Sequence, residues 1–332
     1  MSTPQHVFVP IDEPESESIA IDWLWLGYLA AGSVTLLTSP WKAGKTTLLT
    51  GLLRRFATGG EFLDRPCSAS RAVVVSEESH QQWASRLKGR PIGPHARLLT
   101  RPFVKRPTVA DWEGLLKQVV SMREADEFDL LVIDPLAMVL PGNSENLSMR
   151  MLEVLQPLHD LTGLGAAVLL LHHPRKGESE RGNSARGSGA LLGFVDVILE
   201  LHRYGRATPE EHRRRLTGLS RHGETPGEVY YEWNPTTGEF ATLPDPTTRG
   251  LEDAWPTLRG ILERAGAPLS RADILLAWPD EEGTKPTAMT LYRWLREALG
   301  DGRLRVQGKG TRYSPHEYRL PTEVDLLIDK WG

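Results

Sequence analysis

The residues Ser39-Pro40-Trp41-Lys42-Ala43-Gly44-Lys45-Thr46-Thr47 set a lysine and two hydroxyls among turn-forming positions. They lie between an apolar run, Val34 to Leu37, and an apolar-periodic segment, Leu48 to Phe56. Such a stretch suits a polyphosphate. A buried strand that turns into a helix start presents unpaired backbone N–H groups, and the helix dipole adds positive potential there. On this reading Lys45 reaches the β- and γ-phosphates and the Thr46 hydroxyl holds a metal, so the expected ligands are ATP and Mg2+. Ser39 departs from the pattern G-x-x-x-x-G-K-[ST], and a serine there must avoid or tolerate backbone angles that glycine adopts freely.

Other chemistry-bearing residues stand at strand ends. Phe128 to Asp134 is the strongest buried strand in the sequence, and Asp134 closes it at the carboxyl edge of the sheet, where a carboxylate can hold magnesium through water. Glu77 and Glu78 follow another short β-branched run, Arg71 to Ser76. A glutamate in that place can orient the water that attacks a γ-phosphate, and period-two alternation turns only one of the pair toward the site; Glu77 is the choice. His172 and His173 close the next strand. Neighbouring side chains on a strand point to opposite faces and no third ligand sits at useful spacing, which argues against a metal site. A neutral imidazole there can instead report nucleotide state to the loop that follows. That loop, 174–189, is glycine-rich and carries Arg175, Lys176, Arg181 and Arg186, a composition suited to the phosphate backbone of single-stranded nucleic acid.

The elements that must position these residues alternate. Helices are expected from Gln81 to Lys88, Val109 to Glu124 and Asn146 to Leu161. Further strands are expected at Ala96 to Leu99, Ala166 to Leu171 and Val195 to Leu201. Strands alternating with helices mean a doubly wound α/β domain with a mostly parallel sheet covered on both faces. From about residue 214 the pattern changes to Leu216–Ser220, Glu228–Trp233 and Glu239–Ala241, read as antiparallel strands at the sheet edge. The domain is bounded at 21–242, and 243–250 is a linker by composition. Beyond it come three helical segments, Trp255 to Arg264, Arg271 to Trp278 and Pro286 to Leu299, then a basic hairpin around Gly308 to Gly310. That order predicts a winged helix-turn-helix at 251–322, followed by a tail at 323–332.

Composition limits the alternatives. The chain has 332 residues, 40% hydrophobic and 25% charged, enough for one large or two unequal domains. A net charge of -4 gives no global nucleic-acid signature, so any such contact must come from local patches. Cys67 is the single cysteine, which excludes an internal disulfide framework and a thiolate zinc cluster and suits a reducing cytoplasm. No apolar run reaches membrane-spanning length, and residues 1–20 carry acids where a signal peptide would be basic. Those residues read as a flexible acidic tail, and no membrane association is expected. Trp23 and Trp25 fall on one side of any strand and suit packing or a subunit seam better than base stacking.

Taken in order, several motifs resemble a known family: Asp22-Trp-Leu-Trp, Lys42-Ala-Gly-Lys-Thr-Thr-Leu, Val75-Ser-Glu-Glu, Leu131-Val-Ile-Asp-Pro, Leu170-Leu-His-His-Pro-Arg-Lys and Arg186-Gly-Ser-Gly-Ala. They are similar to those of RecA-fold, AAA-type ATPases related to RepA-type plasmid replicative helicases, themselves relatives of DnaB. The resemblance spans about residues 20–242. It implies a homo-oligomeric ring, usually a hexamer, with ATP between subunits and DNA-contacting loops facing a central channel. It also implies Glu77 as the catalytic glutamate, His172 or His173 as the sensor, and the 174–189 loop as a DNA contact. The segment Leu219 to Gly227 looks like the strand-turn that supplies a neighbour's arginine finger, matching at Arg221. The family often has a lysine where this chain has Leu219, and Arg213, Arg214 and Arg215 are rivals for the role.

In the carboxyl-terminal module Arg303, Arg305, Lys309, Arg312 and Arg319 are interleaved with Tyr313 and Tyr318, a density suited to duplex phosphates, with Thr290, Tyr292 and Arg293 on a recognition helix. The expected function is an ATP-hydrolysing DNA motor or helicase of a plasmid, phage or other mobile element. The rivals are an ATP-controlled DNA-binding regulator and a loader or scaffold without unwinding activity.

Overall fold

The structure, a computed structural model, describes residues 21–140, 148–173, 189–204, 210–244, 250–279, 285–308, 315–322 and 325. The amino-terminal tail, the basic residues Arg175, Lys176, Arg181, Arg186, Lys309 and Arg312, most of the linker and nearly all of the carboxyl-terminal tail lie outside them. The chain divides into two units. One comprises Met1–His202, Leu216–Gly227 and Thr236–Phe240; the other comprises Arg203–Arg215, Glu228–Pro235 and Ala241–Gly332.

The first part of the chain runs β1 (Trp23–Trp25), β2 (Leu29–Ala30), β3 (Val34–Thr38), α1 (Lys45–Phe56), β4 (Gly60–Phe62), β5 (Arg65–Cys67), β6 (Ala72–Ser76), α2 (His80–Leu87), β7 (Ala96–Thr100), α3 (Val109–Glu124) and β8 (Leu130–Asp134). It continues through α4 (Leu136–Val139), α5 (Ser148–Leu155), α6 (Leu158–Gly163), β9 (Ala167–His172), α7 (Gly189–Phe194) and β10 (Val197–Arg203). Three further strands follow: β11 (Arg213–Ser220), β12 (Glu228–Trp233) and β13 (Phe240–Leu243). Strands β10-β3-β9-β8-β6-β7 lie side by side in that order, every pair parallel. This is the doubly wound, mostly parallel α/β sheet that the alternation of elements demands.

Burial on both faces explains why the strands read as continuous apolar runs. Val34 and Leu36 of β3 join Val168 and Leu170 of β9 and Leu131 and Ile133 of β8 in one core cluster with α3, α5 and α6. Leu37 and Leu169 take the other face, packing with Leu48, Leu49 and Leu52 of α1. Gly51 of α1 gives the Phe240 ring room, since a Cβ there would collide with it.

Two features escaped the sequence reading. The helix expected over 146–161 is two helices, because Pro157, the residue before α6, cannot donate the N–H that would continue α5. Strands β1, β2, β4 and β5 form a separate small sheet, order β2-β1-β5-β4, each too short to show a period. Its hub is Trp25, 2% exposed, whose indole N–H donates to the Phe62 carbonyl at 3.0 Å. Trp25 is thus a core residue, while Trp23 stacks edge-on against His222 at 5.4 Å.

The second unit contains α8 (Leu251–Ala265), β14 (Leu269–Ser270), α9 (Arg271–Ala277), α10 (Ala288–Gly300), β15 (Arg305–Gln307) and β16 (Glu317–Arg319). The three strands form an antiparallel sheet, order β14-β16-β15. Leu258, Ile261, Ile274, Trp294, Leu295 and Tyr318 share its core. Ser270 and Thr287 cap α9 and α10 with their hydroxyls, which fixes both helix starts. Among the described residues no helix is long and apolar enough to cross a membrane.

Candidate nucleotide site

Strand register brings the polar residues to one edge. Thr38 is paired with His172 and Ser76 with Asp134, so β3, β9, β6 and β8 end level with one another. The loop 39–44 leaves that edge and enters α1. Gly44, the residue before the helix, has φ +107°, a left-handed conformation that glycine tolerates and other residues rarely do. Ser39 shows no positive φ, so its departure from glycine costs no backbone strain. Lys42 does adopt a positive φ of +58°.

The start of α1 differs from those of α2 and α3. Ser79 and Thr108 close reciprocal capping boxes on α2 and α3, whereas α1 has no side-chain cap and no acid in its first turn. Its first amides, with no side-chain cap, suit an anionic acceptor. Lys45 adds charge beside them. Only 5% exposed, it donates to Ser39 Oγ at 2.9 Å and sits 3.0 Å from His173 Nδ1. Burial lowers its pKa to about 8, partly opposed by Asp134. A buried ammonium whose hydrogen-bond partners among the described residues are all neutral fits an incoming polyanion.

Thr46 Oγ1 donates to Asp134 Oδ2 at 3.2 Å. Burial, then the charge of Glu78, raises the Asp134 pKa to about 6, against the pull of Lys45, the Thr46 hydrogen bond and Arg86. A hydroxyl and a carboxylate side by side suit magnesium, which takes one or two protein oxygens and keeps several waters. Among the described residues no group of three or more His, Cys, Asp or Glu could form a closed metal cage.

The two glutamates have different partners. Both oxygens of Glu78 take hydrogen bonds from Arg86, at 2.5 and 2.8 Å. Glu77 is exposed and has no ion pair among the described residues; desolvation and the neighbouring Glu78 raise its pKa. Arg86 belongs to no motif in the sequence. Its signal is the capping box Ser79–Gln82, which starts α2 and sets Arg86 two turns on, on the side of Glu78.

The histidines diverge as alternation requires. His173 is solvent-accessible and touches Lys45; desolvation first, then the charges of Lys45 and His172, lower its pKa. His172 shares its strand face with Val168 and Leu170, and desolvation, then Lys45, lowers its pKa to about 4. The buried His172 Nδ1 and Thr38 Oγ1 have no hydrogen-bond partner among the described residues.

Other candidates are placed as follows. Trp41 is 76% exposed, with the Lys42 ammonium 4.2 Å from its ring centre; Pro40 and Ala43 complete the loop, and Thr47 lies in the first turn of α1. Arg221 is exposed on the turn after β11 and has no ion pair among the described residues. Its rivals are engaged: Arg213 binds Glu211 at 2.6 Å, Arg215 lies 3.4 Å from Glu228, and Arg214 donates to the carbonyls of Glu211 and Arg213. In the second unit Arg303 is paired with Glu252 and with Asp301, and Arg305 donates to the carbonyls of Gly302 and Leu304.

A family model described as AAA domain matches residues 2–179, more than half of the chain. The match takes in the phosphate loop, Glu77, Asp134 and both histidines. Among curated proteins none matches the chain. With its parallel sheet, phosphate loop and strand-end aspartate, the chain belongs to the AAA domain family and is a P-loop ATPase of RecA-like fold.

Proposed function

We propose that this ATPase is a DNA motor, a helicase or translocase of RepA-like type, that works as a homo-oligomeric ring, six-membered by that likeness, in replication of a plasmid, phage or other mobile element. The observation that carries the reading is the contrast between Glu77 and Arg221 and their neighbours. Among the described residues Glu77 has no ion pair where Glu78 is held by Arg86, and Arg221 has none where Arg213 is held by Glu211. A carboxylate available within one subunit and a guanidinium displayed outward suit a site completed by the next subunit.

In this mechanism the amides at the start of α1 and Lys45 hold the β- and γ-phosphates. Magnesium, held by Thr46 and Asp134 with water, supplies charge neutralisation at the phosphate oxygens. Glu77 orients the attacking water and accepts its proton. Arg221 of a neighbouring copy neutralises charge on the γ-phosphate, a role that a planar, always-charged guanidinium fits. His173, in contact with Lys45, and His172 relay nucleotide state to the loop after β9. Its basic residues Arg175, Lys176, Arg181 and Arg186 are proposed to grip single-stranded DNA.

We read the 251–322 module as a winged helix. Its order, helix, strand, helix, helix and a two-stranded hairpin with β14 paired to β16, supports that. A regulator or loader that binds DNA through this module without unwinding is the second reading. ATPase assays with and without single-stranded DNA test the motor. Strong stimulation, lost in Lys45→Ala and in Glu77→Gln, is expected; equal rates in all samples refute it. Strand displacement then separates a motor from a regulator.

A further inference from the structure

We propose that the exposed face of α10, joined by Arg271 at the start of α9, is the contact surface for duplex DNA, in preference to the described arginines of the β15–β16 hairpin. This deepens the reading of the second unit as a DNA-binding module and rests on it.

Charge pairing carries the choice. The described arginines near the hairpin are occupied: Arg303 by Glu252 and Asp301 with its guanidinium over Trp255, Arg319 by both oxygens of Asp325, and Arg305 by backbone carbonyls. A guanidinium already neutralised by a carboxylate gains little from a phosphate, because the old pair must break first. Arg271 and Arg296 differ. They flank the ring of Tyr292, at 5.3 and 6.0 Å from its centre, and neither has a carboxylate partner among the described residues. A guanidinium stacked on an aromatic ring keeps its charge and directs its N–H fork outward, ready for phosphate.

Shape agrees with charge. Met289 is 74% and Tyr292 39% exposed, and with Thr287, Arg293 and Arg296 they line an open hollow of about 580 Å³. The 13 residues of α10 span about 20 Å at ~1.5 Å per residue. A major groove about 12 Å wide admits a helix and offers thymine methyl groups that an exposed methionine can touch. Glu297, next to Arg296 in the same hollow, repels phosphates and sets the far limit of the contact along α10. Buried Leu291, Trp294 and Leu295 hold the helix from behind, so the face is presented on a rigid support.

The test uses the full chain without nucleotide and a short labelled duplex, read by fluorescence anisotropy across a salt series. In the Arg271→Ala/Arg296→Ala double variant affinity should fall by about ten-fold or more, and the slope of log affinity against log salt should drop by about 2. Arg259→Ala removes a charge already paired with Glu263 and should change neither quantity. Arg296→Glu, a single exposed change, should act in the same direction as the double variant and covers the case in which that protein misfolds. Duplex binding by the wild type that neither variant weakens, loss of binding in Arg303→Ala alone, or no duplex binding at all would each overturn the inference. Duplex binding that depends on Arg271 and Arg296, in a protein whose ATPase ignores single strands, would support this surface while refuting the motor.

Discussion

Thr46 Oγ1 and Asp134 Oδ2 meet at 3.2 Å across 88 residues of chain. The meeting depends on strand order. Asp134 closes β8, Thr46 sits in the first turn of α1 after β3, and β9 lies between those two strands, so the first turn of α1 must reach over the end of one strand to find the carboxylate. A contact that depends on three strands ending level is specified by the sheet as a whole.

The first prediction follows from that pair. Asp134→Asn and Thr46→Val each remove one oxygen from the proposed magnesium site while keeping side-chain volume. Each should cut magnesium-dependent ATP hydrolysis by about 10²-fold or more, the scale typical of losing one preorganised electrostatic contact. Calorimetric titration with ATP, with and without magnesium, should show the metal-dependent part of the binding heat reduced. Unchanged turnover in both variants would remove these residues from the site.

Arg221 gives the second. Its turn is braced against the β1–β2 connection: Thr225 Oγ1 donates to the Gly27 carbonyl at 2.7 Å, and the Ser220 hydroxyl accepts from the His222 amide at 2.9 Å. Gly218 lets the turn close, because a Cβ there would collide with the Pro226 carbonyl and the Thr225 methyl. A braced turn holding an exposed arginine suits action on a neighbour. Arg221→Ala should lower hydrolysis by about 10³-fold or more with ATP affinity little changed. Mixing it with equally inactive Lys45→Ala subunits should restore activity, because some seams then carry an intact loop and an intact arginine. A mixture as inactive as its components would assign Arg221 to a role within its own subunit.

Much of this site can be read in the sequence because its residues sit where apolar runs stop. Asp134 and His172 each end a strand buried on both faces, and in a parallel sheet such residues gather at one edge. Lys45 and Thr46 open a helix directly after such a strand. Alternation and the family resemblance favour Glu77 over Glu78 in the sequence, and the structure supplies a further distinction, the grip of Arg86 on Glu78. Arg86 itself is hidden, because an arginine on an amphipathic helix looks like any solvated residue until the fold shows what it faces. The β2-β1-β5-β4 sheet is hidden for another reason: strands of two or three residues have no measurable period, and their pairing follows from the buried Trp25. The arginines of the second unit show the same limit. Sequence density marks the β15–β16 hairpin beside a recognition helix with Thr290, Tyr292 and Arg293, and does not reveal that Arg303 and Arg319 already have carboxylate partners in the fold.

Gly44 gives a third prediction. At φ +107° it holds the last turn of the phosphate loop in a region that disfavours any Cβ. Gly44→Ala should destabilise the protein by about 1–2 kcal/mol or shift the loop to avoid that cost, and in either case weaken ATP binding. Chemical denaturation and a nucleotide titration on the same sample measure both effects. An alanine variant of wild-type stability and affinity would show that the loop accepts another conformation.

The last prediction concerns acid. His172 has a pKa of about 4 in the folded protein against a reference of 6.5, first through desolvation and then through the charge of Lys45. Above pH 6.5 the ring is neutral whether the chain is folded or not, so its contribution to stability is fully present. As pH falls from 6.5 toward 4 the unfolded chain takes up the proton first, and that contribution is lost progressively. At about pH 5 the loss should approach 2 kcal/mol, from ~1.36 kcal/mol per pKa unit. A His172→Gln variant has no such proton to bind. The drop in urea midpoint between about pH 7.5 and pH 5 should therefore be smaller in the variant than in wild type, after allowing for a lower starting stability. Equal drops in the two proteins would mean that His172 is charged or solvated in the fold, contrary to the burial that surrounds it here.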